Sequence, residues 1–499
     1  MDNGLWTPSE PAATQPSPRL QHGSVVSQEL LASHATIRIP ELRNVAVTER
    51  LVAIIDHPAF QRLRSVRQLG PTHLVYPGAV HTRFEHSLGA YDMGRQYLAS
   101  LLRDPNVAAS LTEEDITVCL LGCLLHDLGH YPFAHSLEAI HRKGGDTPRH
   151  EDLSGSIIRN SVAPRTKGPS IASIIEKQFG IDPAEVIALI KHKPTHHARP
   201  ERRLVATILS SGIDADKADY LERDAIHMGV GYGRNIDHAR LIGSLCASPA
   251  GDSIAISDKG RVAAEILVFC RYTMFSEAYW HHTVRAASAM MERALADFLT
   301  RDNPSREDLT SILLARSDDA FIQWLVDHSP AHSATHQLLG AMSGGSRALY
   351  KRILTLSRIK EGRDEQNAYE RIYHLTPEQL DDLEVRLRAT LGRLLGKKIA
   401  AHALIIDTPP RDKDRIESVL VVSHGSTQAT ATPLDQLSRV VQGIGTDFIK
   451  VVKKIRLFVA PELRAQLFEK CPPETVRAEL LDTILNYSPT ESAQQRLFE

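Results

Sequence analysis

The sequence predicts a mainly α-helical protein that carries a small α+β lobe toward its C-terminal end. Apolar residues recur three or four positions apart through most of residues 36–399, which is the spacing of helices with one buried face. Beyond residue 400 the pattern changes to short apolar runs separated by turn-forming residues. The 499 residues are 42% hydrophobic and 24% charged, and this composition excludes a wholly disordered chain.

Polar segments at both ends are predicted as tails. Residues 1–35 are rich in Pro, Ser, Gln and Thr and lack apolar periodicity, so they predict a disordered tail, and 486–499 predict a second polar tail. Between the tails, the segments with the clearest helical spacing of apolar residues are 51–60, 88–102, 116–125, 171–179, 204–209, 262–273 and 286–299.

Capping residues predict two further helix starts. Asn303 is predicted as the N-cap of a helix with Pro304 in its first turn. Thr376 followed by Pro377 repeats this pattern ahead of a further apolar series. Because helical patterns continue to about residue 395, residues 331–399 are predicted as a helical extension.

The sequence pattern of the last part of the chain is typical of β-strands. Runs of apolar and β-branched residues at 403–406, 418–422 and 455–459 are separated by turn-prone residues. We therefore predict a small α+β lobe at 400–480.

Charge and cysteine content exclude several classes of protein. A net charge of −2 and a pI near 6.9 argue against a basic nucleic-acid coat. Nucleic-acid contact by the basic, histidine-rich run 191–203 stays open, although a solvated loop is favoured. The five cysteines are scattered and suit a reducing compartment, and Cys119 and Cys123 are expected in the core. No apolar run reaches the length of a membrane span, so a cytoplasmic protein without membrane contact is expected.

Residues with metal-ligand chemistry are concentrated in two short segments. His86 lies in the segment Arg-Phe-Glu-His-Ser, and the segment His-Asp-Leu-Gly-His-Tyr-Pro-Phe-Ala-His begins at His126. Asp127 can reach the same ion as His126, and His130, four positions on, is expected to share a helix face with His126. A helix that ends at Gly129 would leave His130 and His135 in the following turn, facing whatever the ion binds.

The number of histidines in this region favours a metal site. A single buried His-Asp pair is more often an ordinary hydrogen bond of the core. Packing alone does not explain the clustering of His86, His126, His130, His135 and His150. Imidazole nitrogens and carboxylate oxygens together suit a divalent metal ion.

A further carboxylate ligand is expected from residues 212–224. If a helix begins near Asp216, its polar residues fall on one stripe: Asp216, Asp219 or Tyr220, Arg223 or Asp224, and His227. Such a stripe is often only the solvated face of a helix. Asp216 is nevertheless the candidate that would complete the ligand set.

The order His86, His126-Asp127, Asp216 resembles the HD superfamily of metal-dependent phosphohydrolases. Longer strings look like the deoxynucleoside triphosphate triphosphohydrolases of this superfamily: Phe60-Gln61-Arg62-Leu63-Arg64, Gln68-Leu69-Gly70, Pro77-Gly78-Ala79, Arg83-Phe84-Glu85-His86-Ser87-Leu88-Gly89 and Asp216-Lys217-Ala218-Asp219-Tyr220. The match is dense from Ile37 to Phe298. It implies that 36–330 form an HD phosphohydrolase domain with a helical core.

The resemblance implies that a deoxynucleoside triphosphate (dNTP) is cut at its α-phosphorus, giving deoxynucleoside and inorganic triphosphate. The positions that match the family's metal ligands are His86, His126, Asp127 and Asp216. The ion would be manganese, iron, magnesium or zinc, because nitrogen and oxygen ligands of this kind do not select one of them.

The resemblance also assigns catalytic and substrate-binding positions. His135 matches the family's general acid, and His150 lies beside it. Glu138 stands where the mammalian member of the family has an aspartate. The positions that match phosphate-binding residues are Arg83, His130, Lys217 and Arg271. The positions that match the wall of the deoxyribose pocket, which would select against a ribose, are Gln68, Leu69, Tyr220, Asp224 and Tyr279.

A regulatory nucleotide site is a further implication. Asp56, Gln61 and Arg64 match residues that bind a guanine in nucleotide-activated members of the family, which implies GTP or dGTP as activator and a homo-oligomer, tetramer or dimer. The family's lysine for the activator phosphates aligns with Ala35, and the candidates to replace it are Arg38, Arg43 and Lys453-Lys454. A set of ion pairs on a helix surface is the alternative interpretation.

Other functions stay open at this point. Within the superfamily, the alternative is cleavage of a phosphodiester or a nucleoside monophosphate. Hydrolysis of guanosine tetraphosphate is disfavoured because Leu-Gly-His, and not an acidic pair, follows Asp127; hydrolysis of cyclic dinucleotides is disfavoured because Gly231-Tyr232-Gly233 lacks that family's proline. Outside the enzymes, a nucleotide-sensing or nucleic-acid-binding regulator without turnover is the alternative.

Overall fold

The computed structural model describes residues 30, 33–40, 43–141, 147–162, 167–191, 194–343, 345, 347–359, 362–409, 418–424 and 429–488. Most of the predicted tails at 1–35 and 486–499 lie outside the described residues.

Helices dominate the described residues, so the predicted fold class is confirmed. The α-helices of the first half, α1 to α11, are Glu49–Ile55, Pro58–Gln61, Arg83–Leu101, Pro105–Ser110, Glu113–Leu125, Ala134–His141, His150–Ile158, Ile171–Ile174, Pro183–Lys191, Pro200–Leu209 and Ala215–Met228. The α-helices that follow, α12 to α23, are His238–Gly243, Arg261–Thr273, His282–Asp302, Arg306–Leu314, Asp318–Asp327, Ala334–Ser343, Arg363–Tyr373, Pro377–Leu395, Leu434–Leu437, Arg439–Asp447, Pro461–Lys470 and Pro473–Leu485.

The strands form small sheets around this helical body. The strands β1 to β9 are Ala35–Ile39, Arg43–Val47, Leu245–Ala247, Ile254–Ser257, Lys351–Leu356, Leu404–Asp407, Leu420–His424, Ala429–Pro433 and Ile455–Val459. β1 and β2 form an antiparallel hairpin, and β5-β9-β6 form an antiparallel sheet. The remaining sheet has the order β3-β4-β7-β8, in which β4 and β7 run parallel.

The described residues form two hydrophobic cores. The larger, called the first core, extends from Ile39 to Phe458, and helix α5 is buried within it. Its N-terminus is closed by a capping box: the Thr112 side chain accepts from the Asp115 amide, and the Asp115 carboxylate accepts from the Thr112 amide. Residues 115–125 are buried on every face, Cys119 and Cys123 among them as predicted. The helix ends at Leu125 and continues as a 3₁₀ turn over His126–Gly129. The core therefore holds this turn in a fixed position.

The helix starting near residue 303 differs from the prediction. Asn303 is not an N-cap, because its φ of 42° places it in the left-handed region that ends α14. The N-cap of α15 is Ser305, whose hydroxyl oxygen accepts from the Asp308 amide at 3.1 Å. The predicted cap at Thr376 is confirmed, with Gln379 completing a capping box.

The residues predicted as a C-terminal lobe divide between two sheets. β6 and β9 pair with each other, and β9 also pairs with β5, whereas β7 pairs with β4 and β8. A second hydrophobic core extends from Leu354 to Tyr487 and includes helices α18 and α19 of the predicted extension. Parts of the extension at 331–399 and of the lobe at 400–480 thus share this core, whereas Leu338 of α17 and Val421 of β7 pack in the first core.

Buried ion pairs join the second core to the first. Arg285 of α14 lies with its Nη2 atom 2.6 Å from Oδ1 of Asp407 on β6, and Arg293 Nη2 lies 2.5 Å from Oε2 of Glu384 on α19. Among the described helices, none combines the length and apolar composition that a bilayer crossing requires.

Candidate metal centre and active site

Three elements bring the predicted metal ligands together. His86 lies in the first turns of α3, His126 and Asp127 lie in the 3₁₀ turn after α5, and Asp216 lies at the start of α11. The N-cap of α11 is Asp214, whose carboxylate accepts from the Lys217 amide, so this helix begins at Ala215, close to the predicted start at Asp216. Helix α3 packs against both α5 and α11, which fixes the three elements.

Ring nitrogens and carboxylate oxygens converge on one point. His86 Nε2 lies 2.9 Å from Asp216 Oδ1, and His126 Nε2 lies 3.6 Å from the same oxygen. One ligand atom each from His86, His126 and Asp216 falls within 4.8 Å of the others. The Nδ1 atom of His126 bonds to the Cys123 carbonyl at 2.9 Å, which leaves its Nε2 directed at the centre.

Asp127 adjoins this group but has partners of its own. Its Oδ1 lies 3.5 Å from His126 Nε2, and its Oδ2 lies 3.8 Å from His86 Nε2. Arg83 Nη1 donates to Oδ2 at 2.6 Å, and His130 Nδ1 lies 3.1 Å from Oδ1. Burial raises the pKa of Asp127, but His130, Arg83 and His126 outweigh it and hold the carboxyl ionised.

The residues present fit a divalent metal ion. The Nε2 atom of His126 is buried and has no hydrogen-bond partner among the described residues, although a ring nitrogen in such a place needs one. Burial lowers the pKa of His86, but its bonds to Asp216 and Asp219 raise it to about 10, so a cation bound at Nε2 would take the place of a proton there. Two histidines and two carboxylates form the nitrogen and oxygen donor set that such cations accept. His86, His126, Asp127 and Asp216 would hold the ion.

The expectation that His126 and His130 share a helix face is wrong. α5 ends before His126, and His130 has an extended backbone with φ −67° and ψ 145°. His130 instead packs its ring on His150, with centroids 3.8 Å apart. Gly129 permits this approach, because a Cβ atom there would lie 1.9 Å from the His150 carbonyl oxygen.

His135, Glu138 and His150 form a second group beside the metal centre. Glu138 Oε1 contacts His150 Nδ1, and Glu138 Oε2 lies 3.7 Å from His135 Nδ1. Burial raises the pKa of Glu138, but both histidines lower it further, so the group is a carboxylate. The His135 side chain is 68% exposed, and its Nε2 lies 3.3 Å from Arg83 Nη2. An exposed imidazole beside a guanidinium can meet a solvent-borne anionic substrate.

The predicted phosphate-binding residues are only partly grouped. Arg83 lies between Asp127 and His135, and its Nη2 also donates to the Gln68 carbonyl at 3.4 Å. Lys217 Nζ lies 2.7 Å from Asp214 Oδ2, so a phosphate would compete with that carboxylate. Arg271 at the end of α13 has a buried Nη1 atom without a hydrogen-bond partner among the described residues.

The predicted sugar-pocket residues lie at one side of the centre. The Tyr279 hydroxyl donates to Asp224 Oδ2 at 2.5 Å, and His81 Nε2 lies 2.8 Å from Asp224 Oδ1. The Tyr220 ring lies 6.5 Å from the His86 ring, and burial raises its pKa to about 12. Leu69 precedes the 3₁₀ turn Gly70–Leu74, and the buried Oε1 atom of Gln68 lacks a hydrogen-bond partner among the described residues.

The predicted regulatory residues lie close to one another between α1 and α3. The Gln61 amide donates to the Ile55 carbonyl at 2.8 Å and accepts from Arg64 Nε at 2.7 Å. The Arg64 guanidinium stacks 3.6 Å over the Phe84 ring. Asp56 is exposed at the end of α1. Arg43, a candidate for the activator phosphates, is occupied elsewhere, since it contacts Asp219 and Glu222.

The polar stripe on α11 is not a solvated face. Asp219 is fully buried, and Arg223 and Asp224 are nearly so. Sequence reasoning placed Asp219 on the stripe but gave it no role, assigned Arg43 to the activator phosphates, and missed His81. The spacing of Asp219 three positions after Asp216 was the one available signal; nothing in the sequence links Arg43 to a residue 176 positions away.

Basic residues after position 191 are mostly paired. Arg202 is buried and lies 3.1 Å from Glu114 and 3.4 Å from Asp115. Arg199 also contacts Asp115. The run is therefore not a free basic surface over the residues that are described, although 192–193 lie outside them.

Two family models match the chain in sequence. The model of the HD domain matches residues 83–224, which contain all four candidate metal ligands. The model of the HD associated region matches residues 236–468.

Individual relatives are similar over long stretches. The uncharacterized protein YwfO of Bacillus subtilis is 34% identical over 266 residues, which are 53% of this chain and 56% of that protein. The deoxynucleoside triphosphate triphosphohydrolase SAMHD1 of Gallus gallus is 27% identical over 445 residues, 80% of this chain and 68% of that protein. The match to the Bacillus protein thus spans little more than half of that protein's length. The crystal structure of a hypothetical protein from Aquifex aeolicus aligns with a TM-score of 0.62 at 26% identity, covering 89% of this chain and 99% of that one.

Proposed function

This chain is a protein of the HD superfamily, with an HD domain followed by an HD associated region, and we propose that it hydrolyses dNTPs to deoxynucleoside and inorganic triphosphate. At the coarser level, the HD domain and the similarity to SAMHD1 proteins support a metal-dependent phosphohydrolase. The choice of dNTPs as substrate is our proposal.

One observation carries the proposal. A general-acid candidate, His135, lies beside Arg83, and Arg83 in turn bonds to Asp127 of the metal centre. Acid, cation and metal ligands therefore lie in one continuous group. Hydrolysis of a phosphate ester needs these three functions within the length of one substrate.

A divalent cation held by His86, His126, Asp127 and Asp216 would polarise a phosphoryl oxygen and lower the pKa of a water molecule. The side chains around the cation bind the phosphate and supply the proton. Arg83 is held by its bonds to Asp127 and Gln68 and offers its remaining N–H groups to the phosphate oxygens. His135 donates a proton to the 5′ oxygen as its bond to the α-phosphorus breaks. Glu138 contacts His150, and its Oε2 lies 3.7 Å from His135 Nδ1, so its negative charge orients the His135 ring.

The deoxyribose would lie against Tyr279 and Tyr220. The Tyr279 hydroxyl is engaged by Asp224, so it has no proton to offer to a sugar. A ribose 2′-hydroxyl placed there could donate to the Tyr279 oxygen but would receive no hydrogen bond from it, and that loss disfavours ribonucleotides.

A guanine nucleotide at Asp56, Gln61 and Arg64 is the regulatory part of the proposal, and it includes a homo-oligomer as the active form. The exposed Asp56 carboxylate suits the paired N–H donors of guanine. The internal bonds of Gln61 and Arg64 would have to open or adapt when the base binds.

The test is a product assay. Purified protein is incubated with each dNTP and each NTP, with Mn²⁺ or Fe²⁺, with and without GTP, and the products are separated by chromatography. We expect deoxynucleoside and triphosphate from dNTPs, no product from His126→Ala, and wild-type activity from His374→Ala, a change at an exposed histidine far from the centre. Binding without product in every metal would indicate a nucleotide sensor; turnover of a nucleoside monophosphate or phosphodiester alone would indicate the other HD-type activities.

A further inference from the structure

His86 is held from behind by a buried carboxylate. Its Nε2 atom faces the metal centre, while its Nδ1 atom lies 2.9 Å from Oδ2 of Asp219. Since an ionised carboxylate only accepts hydrogen bonds, Nδ1 carries a proton, and Nε2, 2.9 Å from Asp216 Oδ1, is the nitrogen turned toward the metal ligands. Asp219 is fully buried, so water does not replace this contact.

Two arginines hold Asp219 in turn. Arg223, one turn further along α11, donates from Nε to Oδ2 at 2.8 Å and from Nη2 to Oδ1 at 2.7 Å. Arg43 Nη1 donates to Oδ1 at 3.1 Å, and its other terminal nitrogen contacts Glu222. Every oxygen of Asp219 is thereby satisfied, and the carboxylate has no freedom to rotate away from His86.

Arg43 comes from a distant part of the fold. It is the first residue of β2, in the hairpin of β1 and β2 that lies outside the HD-domain match at 83–224. Its side chain is 17% exposed and crosses from the hairpin to α11. Burying a carboxylate between one arginine of its own helix and one from a separate element costs desolvation free energy, which the hydrogen bonds among the three groups offset.

We propose that Asp219 and Arg43 are positioning residues of the metal centre, so that the N-terminal hairpin is a structural part of that centre. This inference rests on the proposed metal site. Asp219 fixes the tautomer and the orientation of His86, and Arg43 fixes Asp219. Loss of such partners behind a metal-ligating histidine lowers metal affinity about 10- to 100-fold.

The experiment measures metal affinity directly. The apo protein is titrated with Mn²⁺ by equilibrium dialysis and elemental analysis, for wild type, Asp219→Asn, Arg43→Gln and Arg43→Lys. The control is Arg38→Gln, an exposed arginine on the neighbouring strand of the same hairpin. The visible absorption of the Co²⁺-loaded proteins reports ligand geometry independently of activity.

We expect Asp219→Asn to weaken Mn²⁺ binding about 10- to 100-fold and Arg43→Gln to weaken it several-fold. Arg43→Lys should recover part of the loss, because it keeps the charge without the fork, and Arg38→Gln should bind like wild type. The Co²⁺ spectrum should shift in the two weakened variants. Circular dichroism verifies folding, and if Asp219→Asn does not fold, the Arg43 series decides.

The outcomes separate the two proposals. If the wild type binds no divalent ion, the proposed function fails. If the wild type binds Mn²⁺ and folded Arg43→Gln and Asp219→Asn bind it as tightly with an unchanged Co²⁺ spectrum, the positioning role is wrong while the metal site stands.

Discussion

Gly89 and Asp219 approach each other so closely that a Cβ atom at residue 89 would lie 2.0 Å from the Asp219 Oδ1 atom. Gly89 lies in α3, three residues after His86, and faces α11. The missing side chain is what admits the carboxylate and the Arg223 guanidinium beneath the imidazole ring.

We therefore predict that Gly89→Ala displaces Asp219 from His86. The overpacked variant should lose about 1–3 kcal/mol of unfolding free energy in urea and should bind Mn²⁺ more weakly. Gly340→Ala is the matched control, since that helical glycine has open space around its Cβ position, and it should stabilise the protein by about 0.5–1 kcal/mol. Equal metal affinity in Gly89→Ala and wild type would show that the close contact does not matter for the centre.

Replacement of Glu138 tests the role of the group formed by His135, Glu138 and His150. Glu138→Gln removes the negative charge that orients His135 and His150, so kcat should fall about 100-fold with little change in KM. The neighbouring Glu151→Gln serves as control, because Glu151 is more exposed and lies 3.6 Å from His150 Nδ1. Steady-state kinetics on the preferred dNTP make the measurement. A kcat within twofold of wild type in Glu138→Gln would remove this residue from the mechanism.

The raised pKa of Asp318 predicts that the stability of the protein depends on pH. Burial raises the pKa of this carboxyl from 3.8 to about 6, against the opposing hydrogen bond from the Arg67 amide. The folded state thus keeps a proton that the unfolded state releases, and the stability contributed by this proton is present below pH 4 and lost as the pH rises through 6. The loss amounts to about 3 kcal/mol.

In Asp318→Asn this loss should disappear, so the variant should gain about 3 kcal/mol relative to wild type between pH 4 and pH 7. Urea denaturation at several pH values measures the difference. Asp319→Asn, at a neighbouring carboxylate that is 73% exposed, should show no such trend. A difference between Asp318→Asn and wild type that is independent of pH would contradict the raised pKa.

Substitution of Tyr279 tests sugar selection. Tyr279→Ala removes the aromatic wall and should lower the ratio of dNTP to NTP turnover about 10-fold. Tyr279→Phe keeps the ring and should retain most of the preference. Competition between dATP and ATP, or the pair that the enzyme prefers, gives the ratio. If both variants discriminate as the wild type does, the sugar is selected elsewhere.

The helical part of the fold was predictable because its signals are local. The apolar run 116–125 and the capping residues of α19 determine helices without reference to distant parts of the chain. The candidate metal ligands were recognisable for the same reason, since His126 and Asp127 are adjacent and resemble a family motif. The roles of the site residues stay predictions until they are tested.

Features that depend on distant partners were not predictable. The strands near residues 245–257 have three or four residues each, and their pairing with residues 420–424 decides whether they form. The end of α5 at Leu125 was missed because nothing in the sequence marks the change from α to 3₁₀ geometry. The contact of Arg43 with Asp219 joins segments that have no pattern in common.

The parallel pairing of Ile256 with Val421 and the bond of Arg285 to Asp407 have a consequence for how the chain can be divided. A fragment ending near residue 400 would leave Arg285 with Glu292, 3.4 Å away, in place of its closer partner Asp407, and would expose the edge of β4, which invites aggregation. We therefore expect the metal-bearing half to need the C-terminal part of the polypeptide for its stability.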